Sequence, residues 1–234
     1  MITTVLFDLD GTLLPMDQDV FVKAYFGALA KKLAPLGYQP DTFIQAIWTG
    51  IAAMVKNDGM QTNEAVFWNT FADIFGQNVR DDAPYFEEFY KTDFQKVKES
   101  CGFTPFAAQA VKAVKEKGLR VALATNPVFP AIATESRIRW AGLQPEDFAL
   151  YTTYENSSCS KPNPAYYQAV CQSLGVTPEE CLMIGNDVGD DMIAETLGMK
   201  VFLLTDCLIN KTQADISCYP HGNFKDLIDF INRL

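Results

Sequence analysis

Short apolar runs punctuate this chain, and the segments between them repeat hydrophobic residues at helical spacing. "TVLFD" (residues 4–8), "LRVALAT" (119–125), "FALYTT" (148–153), "CLMIGN" (181–186) and "KVFLLT" (200–205) are aliphatic, partly β-branched, and bounded by polar or turn residues. That is the pattern of strands buried on both faces of a parallel sheet. "TPFAAQAVKAVKEKG" (104–118), "PAIATESRIRWAG" (130–142) and "NPAYYQAVCQSLG" (163–175) read as helices, with Asn163 a cap, Pro164 in a first turn, and Gly118, Gly142 and Gly175 as stops. Strand and helix in alternation predict an α/β fold with a doubly wound, Rossmann-like parallel sheet.

Residues 16–99 break the alternation. Here the pattern predicts four consecutive helices, over 19–37, 40–59, 62–76 and 83–100, with breakers at Gly37, Pro40, Asn57 to Gly59, Gly76 and Pro84. The economical division is a sheet core of residues 1–15 and 100–234 with an all-helical insert at 16–99. At 234 residues the chain is long for one average domain and short for two, which suits such an insertion. The insert is rich in aromatic residues, expected mainly to hold its helices together.

Charge narrows the function classes. Acidic residues outnumber basic ones, 29 to 19, for a formal net charge of −10. A broad nucleic-acid or anionic-membrane surface is therefore not expected, and an anionic substrate would need a local cation. The six cysteines form no CxxC pair and the only histidine is His221, so neither a zinc cluster nor a disulfide framework is indicated. Reduced thiols, a cytoplasmic location and solubility are the expectations. "MITTVLFDLD" lacks a basic region before its apolar run, which argues against a signal peptide, and no apolar stretch is long enough to span a bilayer.

The predicted strands end in chemistry. The first runs into Asp8, Asp10, Gly11 and Thr12; the second into Thr125 and Asn126; the third leads to Lys161; the fourth runs into Asn186, Asp187, Asp190 and Asp191. Open α/β sheets bind ligands at the carboxyl ends of their strands. Residues two apart in a strand share a side, so Asp8 and Asp10 would project together and would require a proton or a nearby cation. Each group has an ordinary explanation as a turn former, a surface lysine or a helix-cap acid. Those explanations become improbable when all of the groups meet on one sheet edge.

"DLDGTL", "ATNP", "SKPNP" and "GNDVGDDM", in this order, resemble the four motifs of the haloacid dehalogenase superfamily, over essentially the whole chain. The helical insert is similar to the cap of a branch that holds many small-molecule phosphatases and β-phosphoglucomutases. The resemblance implies that Asp8 is a nucleophile forming an aspartyl phosphate, and that Asp10 is the general acid and then the base. It implies that Thr125 and Asn126, with Gly11 and Thr12, lie at the phosphoryl group, and that Lys161 offsets charge there. A Mg2+ cofactor would be held by the Asp8 side chain, the Asp10 carbonyl and an acid of the fourth motif. Many relatives read Gly-Asp where this chain has Gly185-Asn186, so the ligand is Asp187 or, in another register, the motif is centred on Asn186. Asp187 is the favoured choice, with Asp190 and Asp191 acting behind it or through water.

Within that resemblance, an intact DxD followed by an acidic fourth motif implies phosphoryl chemistry in preference to carbon–halogen cleavage, since the superfamily's dehalogenases need neither the second acid nor a metal. The expected function is therefore a magnesium-dependent phosphatase acting on a small-molecule phosphate ester, as a monomer or small homo-oligomer with no nucleic-acid or membrane partner. The alternatives are a sugar phosphomutase and, further off, a non-catalytic phospho-aspartate module. Lys56, Asn57, Asp58 and Gln61 in an inter-helix loop, and Asp17 and Gln18 near the hinge, are candidate substrate readers.

Overall fold

A computed structural model describes all of residues 1–234. Its centre is a parallel sheet of five strands: β1 (Thr4–Phe7), β2 (Arg120–Leu123), β3 (Cys181–Gly185), β4 (Lys200–Leu204) and β5 (His221–Gly222). The spatial order is β2-β1-β3-β4-β5, with Val5 opposite both Val121 and Leu182. β1 is thus flanked by strands reached through connections leading to opposite sides, the arrangement that opens a crevice at its carboxyl end. Every residue of β1 and β3 is buried, as expected of strands covered on both faces.

Between β1 and β2 the chain forms α1 (Gln18–Leu33), α2 (Pro40–Val55), α3 (Asn63–Phe75), α4 (Ala83–Lys91) and α5 (Pro105–Glu116). Local chemistry sets their starts: the Asp17 side chain accepts from the amides of Asp19 and Val20, and Thr62 and Thr104 cap α3 and α5 in the same way. Beyond β2 come α6 (Ala131–Trp140) and α7 (Pro164–Leu174), the latter capped by Asn163 and closed by Gly175 at φ 67°, and α8 (Phe224–Asn232) ends the chain. Two apolar clusters line the two faces of the sheet. The larger is continuous from Val5, Phe7 and Ile184 into the aromatic interior of α1–α4, and the smaller gathers Leu6, Met183, Tyr166 and Tyr167.

The sequence pattern announced neither β5 nor α8, and two of the elements it did predict take another form. The run 148–153 lies beside β2, where Leu123 N donates to Leu150 O and Ala149 N to Val121 O, but it bridges only at Tyr151 and forms no strand. The predicted fourth helix stops at Lys91: Thr92 turns its hydroxyl back onto Glu88 O, and a tighter three-ten helix carries on from Asp93 to Ser100. No helix is long and apolar enough to cross a membrane.

Candidate active site

Asp8 is the first residue past β1, and its amide still continues the sheet by donating to Ile184 O at 2.9 Å. The chain then folds on itself, with Leu14 N donating to Leu9 O at 2.8 Å and Gly11 N to Leu14 O at 2.8 Å. Gly11 takes φ +83°, and a Cβ there would lie 2.4 Å from Asn186 Nδ2. Only glycine meets both requirements. The turn is fastened across the sheet, because Thr12 Oγ1 donates to Asn186 Oδ1 at 2.9 Å and Asn186 Nδ2 donates to Cys207 O at 2.7 Å.

Lys161 lies beneath the turn, 2% exposed, with Nζ donating to Asp8 Oδ1 at 2.9 Å and to Asp191 Oδ1 at 2.6 Å. Asp191 is itself held, since its other oxygen accepts from Asp187 N at 2.9 Å. Burial works against the charge on Lys161, but Asp191 and Asp8 outweigh it and raise its pKa well above the ordinary lysine value. Burial also pushes the Asp8 carboxyl up, against the pull of Lys161. Asp190 is pushed up to about 6, by burial first and by the neighbouring Asp187 second.

A cavity of about 390 Å³ opens over this cluster. Asp8, Asp10, Thr125, Asn126, Lys161, Asn186, Asp187, Asp190 and Asp191 all line it, so all four strand-end segments meet there. Gly11 and Thr12 do not line it; their contacts go to Asn186. A hollow of about 560 Å³ between Leu36 and Asp82 shares no residue with this cluster. Among the candidate substrate readers, only Gln18 reaches the cavity. Asp17 is occupied as a helix cap, Asp58 accepts from Met60 N, and Asn57 is buried and donates to Gln61 O and Asn63 Oδ1.

Two residues escaped the sequence reading. Arg137, fully buried on α6, donates through Nη1 to Asp10 Oδ2, through Nη2 to Thr134 Oγ1 at 3.2 Å, and lies 4.2 Å from the centre of the Phe129 ring. Its spacing from Ala133 and Trp140 puts it on the apolar stripe of that helix, which was the available signal. Asn63, also fully buried, donates to Pro127 O at 3.0 Å and Ser160 Oγ at 3.1 Å, and so ties the start of α3 to the segments that carry Asn126 and Lys161. As the first residue of a helix it carries no sequence signal of that role.

A divalent cation, implied by the resemblance, can be tested against this donor set. No three acidic, histidine or cysteine side chains converge closely enough to cage a metal by themselves. Asp8 and Asp187 do line one cavity, and Asp10 Oδ1 is buried there without a protein donor. Two carboxylates supplemented by backbone oxygen, water and a phosphate suit magnesium, which keeps much of its hydration. The residues fit that ion.

Residues 2–198 match the family model of the haloacid dehalogenase-like hydrolases, and the chain belongs to that family. It is 26% identical over 200 residues to pyrophosphatase PpaX of Bacillus cereus (strain AH820), covering 85% of this chain and 81% of that one. It is 24% identical over 203 residues to phosphoglycolate phosphatase of Aquifex aeolicus (strain VF5), covering 85% and 83%. A 30% match to YhcW of Bacillus subtilis (strain 168) spans only 49% of that protein. In structure, 2-haloacid dehalogenase from Pseudomonas syringae pv. Tomato DC3000 superposes with a TM-score of 0.64 at 21% identity, over 100% of this chain and 99% of that one, a likeness of fold.

Proposed function

We propose that this hydrolase is a magnesium-dependent, cytoplasmic phosphatase that cleaves a small phosphorylated metabolite through an aspartyl phosphate on Asp8. The observation that carries the reading is Lys161 bridging Asp8 and Asp191 under a cavity that Asp10 and Asp187 also line. A carboxylate held at a strand end by a buried ammonium is a nucleophile whose direction is set before substrate arrives.

In the first half-reaction an Asp8 oxygen forms a bond to phosphorus, the bond from phosphorus to the ester oxygen breaks, and the Asp10 carboxyl gives its proton to the departing alkoxide. Burial favours the protonated form of Asp10 that this step requires, while Arg137 and Lys161 oppose it; the net direction is up. In the second, the Asp10 carboxylate takes a proton from water, whose oxygen attacks phosphorus and frees Asp8 and inorganic phosphate. Thr125 and Asn126 are suited to bind the phosphoryl oxygens. Asp8, Asp187 and the Asp10 carbonyl would hold the magnesium ion, which supplies charge neutralisation for phosphoryl transfer. Asn186 has its amide engaged by Thr12 and Cys207, which supports Asp187 as the metal ligand. Residues 16–99 would act as a cap that closes over the core of 1–15 and 100–234 to exclude water during attack on Asp8.

Purified protein is expected to release phosphate from an aryl phosphate, to stop with EDTA and to recover with added magnesium. Asp8→Asn is expected to abolish turnover; activity that survives it would remove Asp8 as nucleophile. Net phosphate release, rather than isomerisation of a hexose phosphate, separates this reading from a phosphomutase.

A further inference from the structure

The cavity over Asp8 has two unlike walls. The sheet side is carboxylate, amide and ammonium, whereas the helical side is Phe21 and Val22 from α1, Trp48, Ile51 and Val55 from α2, and Phe129. The α2 contribution is a second apolar face. Phe43, Ile47, Gly50 and Met54 on the same helix are buried, and Trp48, Ile51 and Val55 recur at separate helical positions turned to the cavity. Packing consumes only part of this second face: Ile51 packs against the core and Trp48 edge-on against Phe26, 5.0 Å between ring centres, yet Trp48 remains 48% exposed and Val55 37% exposed. A large apolar surface left uncovered beside a reactive carboxylate calls for a ligand group of the same character.

Charge points the same way. The only cations in the lining are Lys161, already shared by Asp8 and Asp191, and Lys211 on the acidic side with Asp190. Nothing on the helical side could neutralise a second anionic group such as the carboxylate of phosphoglycolate or the second phosphate of a pyrophosphate. Polar hydroxyls fare little better. Gln18 is the one polar side chain there besides Tyr25, whose hydroxyl is paired with that of Tyr90 at 2.7 Å. A polyol set against this wall would lose water contacts without replacement.

Resting on the phosphatase reading, we infer that the physiological substrate is the phosphate monoester of an apolar, uncharged alcohol, aromatic or branched aliphatic, whose carbon skeleton lies against Trp48, Ile51 and Val55.

The test uses the full chain with magnesium and three esters of poorly acidic alcohols: phenethyl phosphate, glycerol phosphate and phosphoglycolate. The expected result is a kcat/KM for phenethyl phosphate at least about tenfold above the other two. Trp48→Ala is expected to raise KM for phenethyl phosphate about tenfold and to lower the ratio of its kcat/KM to that for glycerol phosphate by about the same factor. Val55→Lys is expected to move the preference toward phosphoglycolate. Calorimetric titration with the non-hydrolysable phenethyl phosphonate and with phosphonoacetate should show the same order of affinity without turnover. Equal or better turnover and binding of the polar or anionic compounds would overturn the apolar-substrate inference and leave the phosphatase standing. Tight binding of the apolar phosphonate, with no phosphate released from any ester, would instead overturn the phosphatase reading.

Discussion

Arg137 and Asp10 are ion-paired across 127 residues of sequence, the guanidinium fully buried and the carboxylate one-fifth exposed. The pair joins the inner face of α6 to the turn after β1. It fixes one Asp10 oxygen and leaves the other buried without a protein donor. Arg137 therefore positions the group assigned to proton transfer.

Arg137→Met should remove that anchor while keeping much of the side-chain volume. Breaking one half of a buried pair costs about 3 kcal/mol, so a clear fall in the urea midpoint is expected, with kcat falling about a hundredfold as Asp10 loses its orientation. The double variant with Asp10→Asn should be less destabilised than the sum of the two single changes, since neither then leaves an unpaired charge. Strict additivity in the denaturation cycle would mean that the contact carries no coupling.

Gly185 ends β3 where no side chain fits. A Cβ there would lie 2.1 Å from Asp191 Oδ2, so Gly185→Ala must push Asp191 away from Lys161 and from Asp187 N. A loss of about 1–3 kcal/mol is expected from denaturant unfolding. Turnover should fall further than stability explains, because Lys161 loses one of its two anchors. Wild-type turnover in a stable Gly185→Ala protein would show that Asp191 does not matter to the placement of Lys161.

How much of this was legible beforehand depends on whether the signal was local. The first, second, fourth and fifth of the apolar runs are strands, because a continuous aliphatic run between polar ends has few other ways to be buried. The run at 148–153 has the same composition, yet it lies outside β2 and exchanges only intermittent hydrogen bonds with it. Composition reports burial, not how regular the pairing is. β5 has two residues and no apolar run to announce it. The strand-end acids and Lys161 were readable because their positions after strands carry the argument. Arg137 and Asn63 depend on partners 127 and 97 residues away, and those distances exist only once the helices are packed.

Asn63 shows what such a long-range contact contributes. Besides donating to Pro127 O and Ser160 Oγ, its own oxygen accepts from Asn57 Nδ2 at 2.8 Å, so all of its polar atoms are engaged inside the protein. Asn63→Ala should leave several buried partners unpaired and lower stability by about 1–3 kcal/mol. Ser160 precedes Lys161, so a drop in kcat is expected as well, whereas Thr62→Ala, which removes only a half-buried helix cap contact, should cost stability alone. Equal kinetic effects from the two variants would deny Asn63 any role in holding the lysine segment.

Asp93 provides a test by pH, away from the cavity. Its carboxylate accepts from Lys96 Nζ at 2.7 Å and pairs with Lys32 at 3.1 Å, fastening α1 to the three-ten helix that follows α4. Those hydrogen bonds, Lys96 first and Lys32 second, hold its pKa down to about 2 from 3.8. A depressed acid pKa means that the unfolded chain takes up the proton first as pH falls. The contribution of Asp93 is therefore complete above about pH 4 and disappears as pH drops through about 2. The urea midpoint of Asp93→Asn should lie below that of the parent protein by a constant margin from neutral pH down to about pH 5, and the margin should narrow between about pH 4 and pH 2. High salt should shrink it at every pH, since these charges face solvent. A margin indifferent to acid would assign the effect to side-chain shape instead of charge.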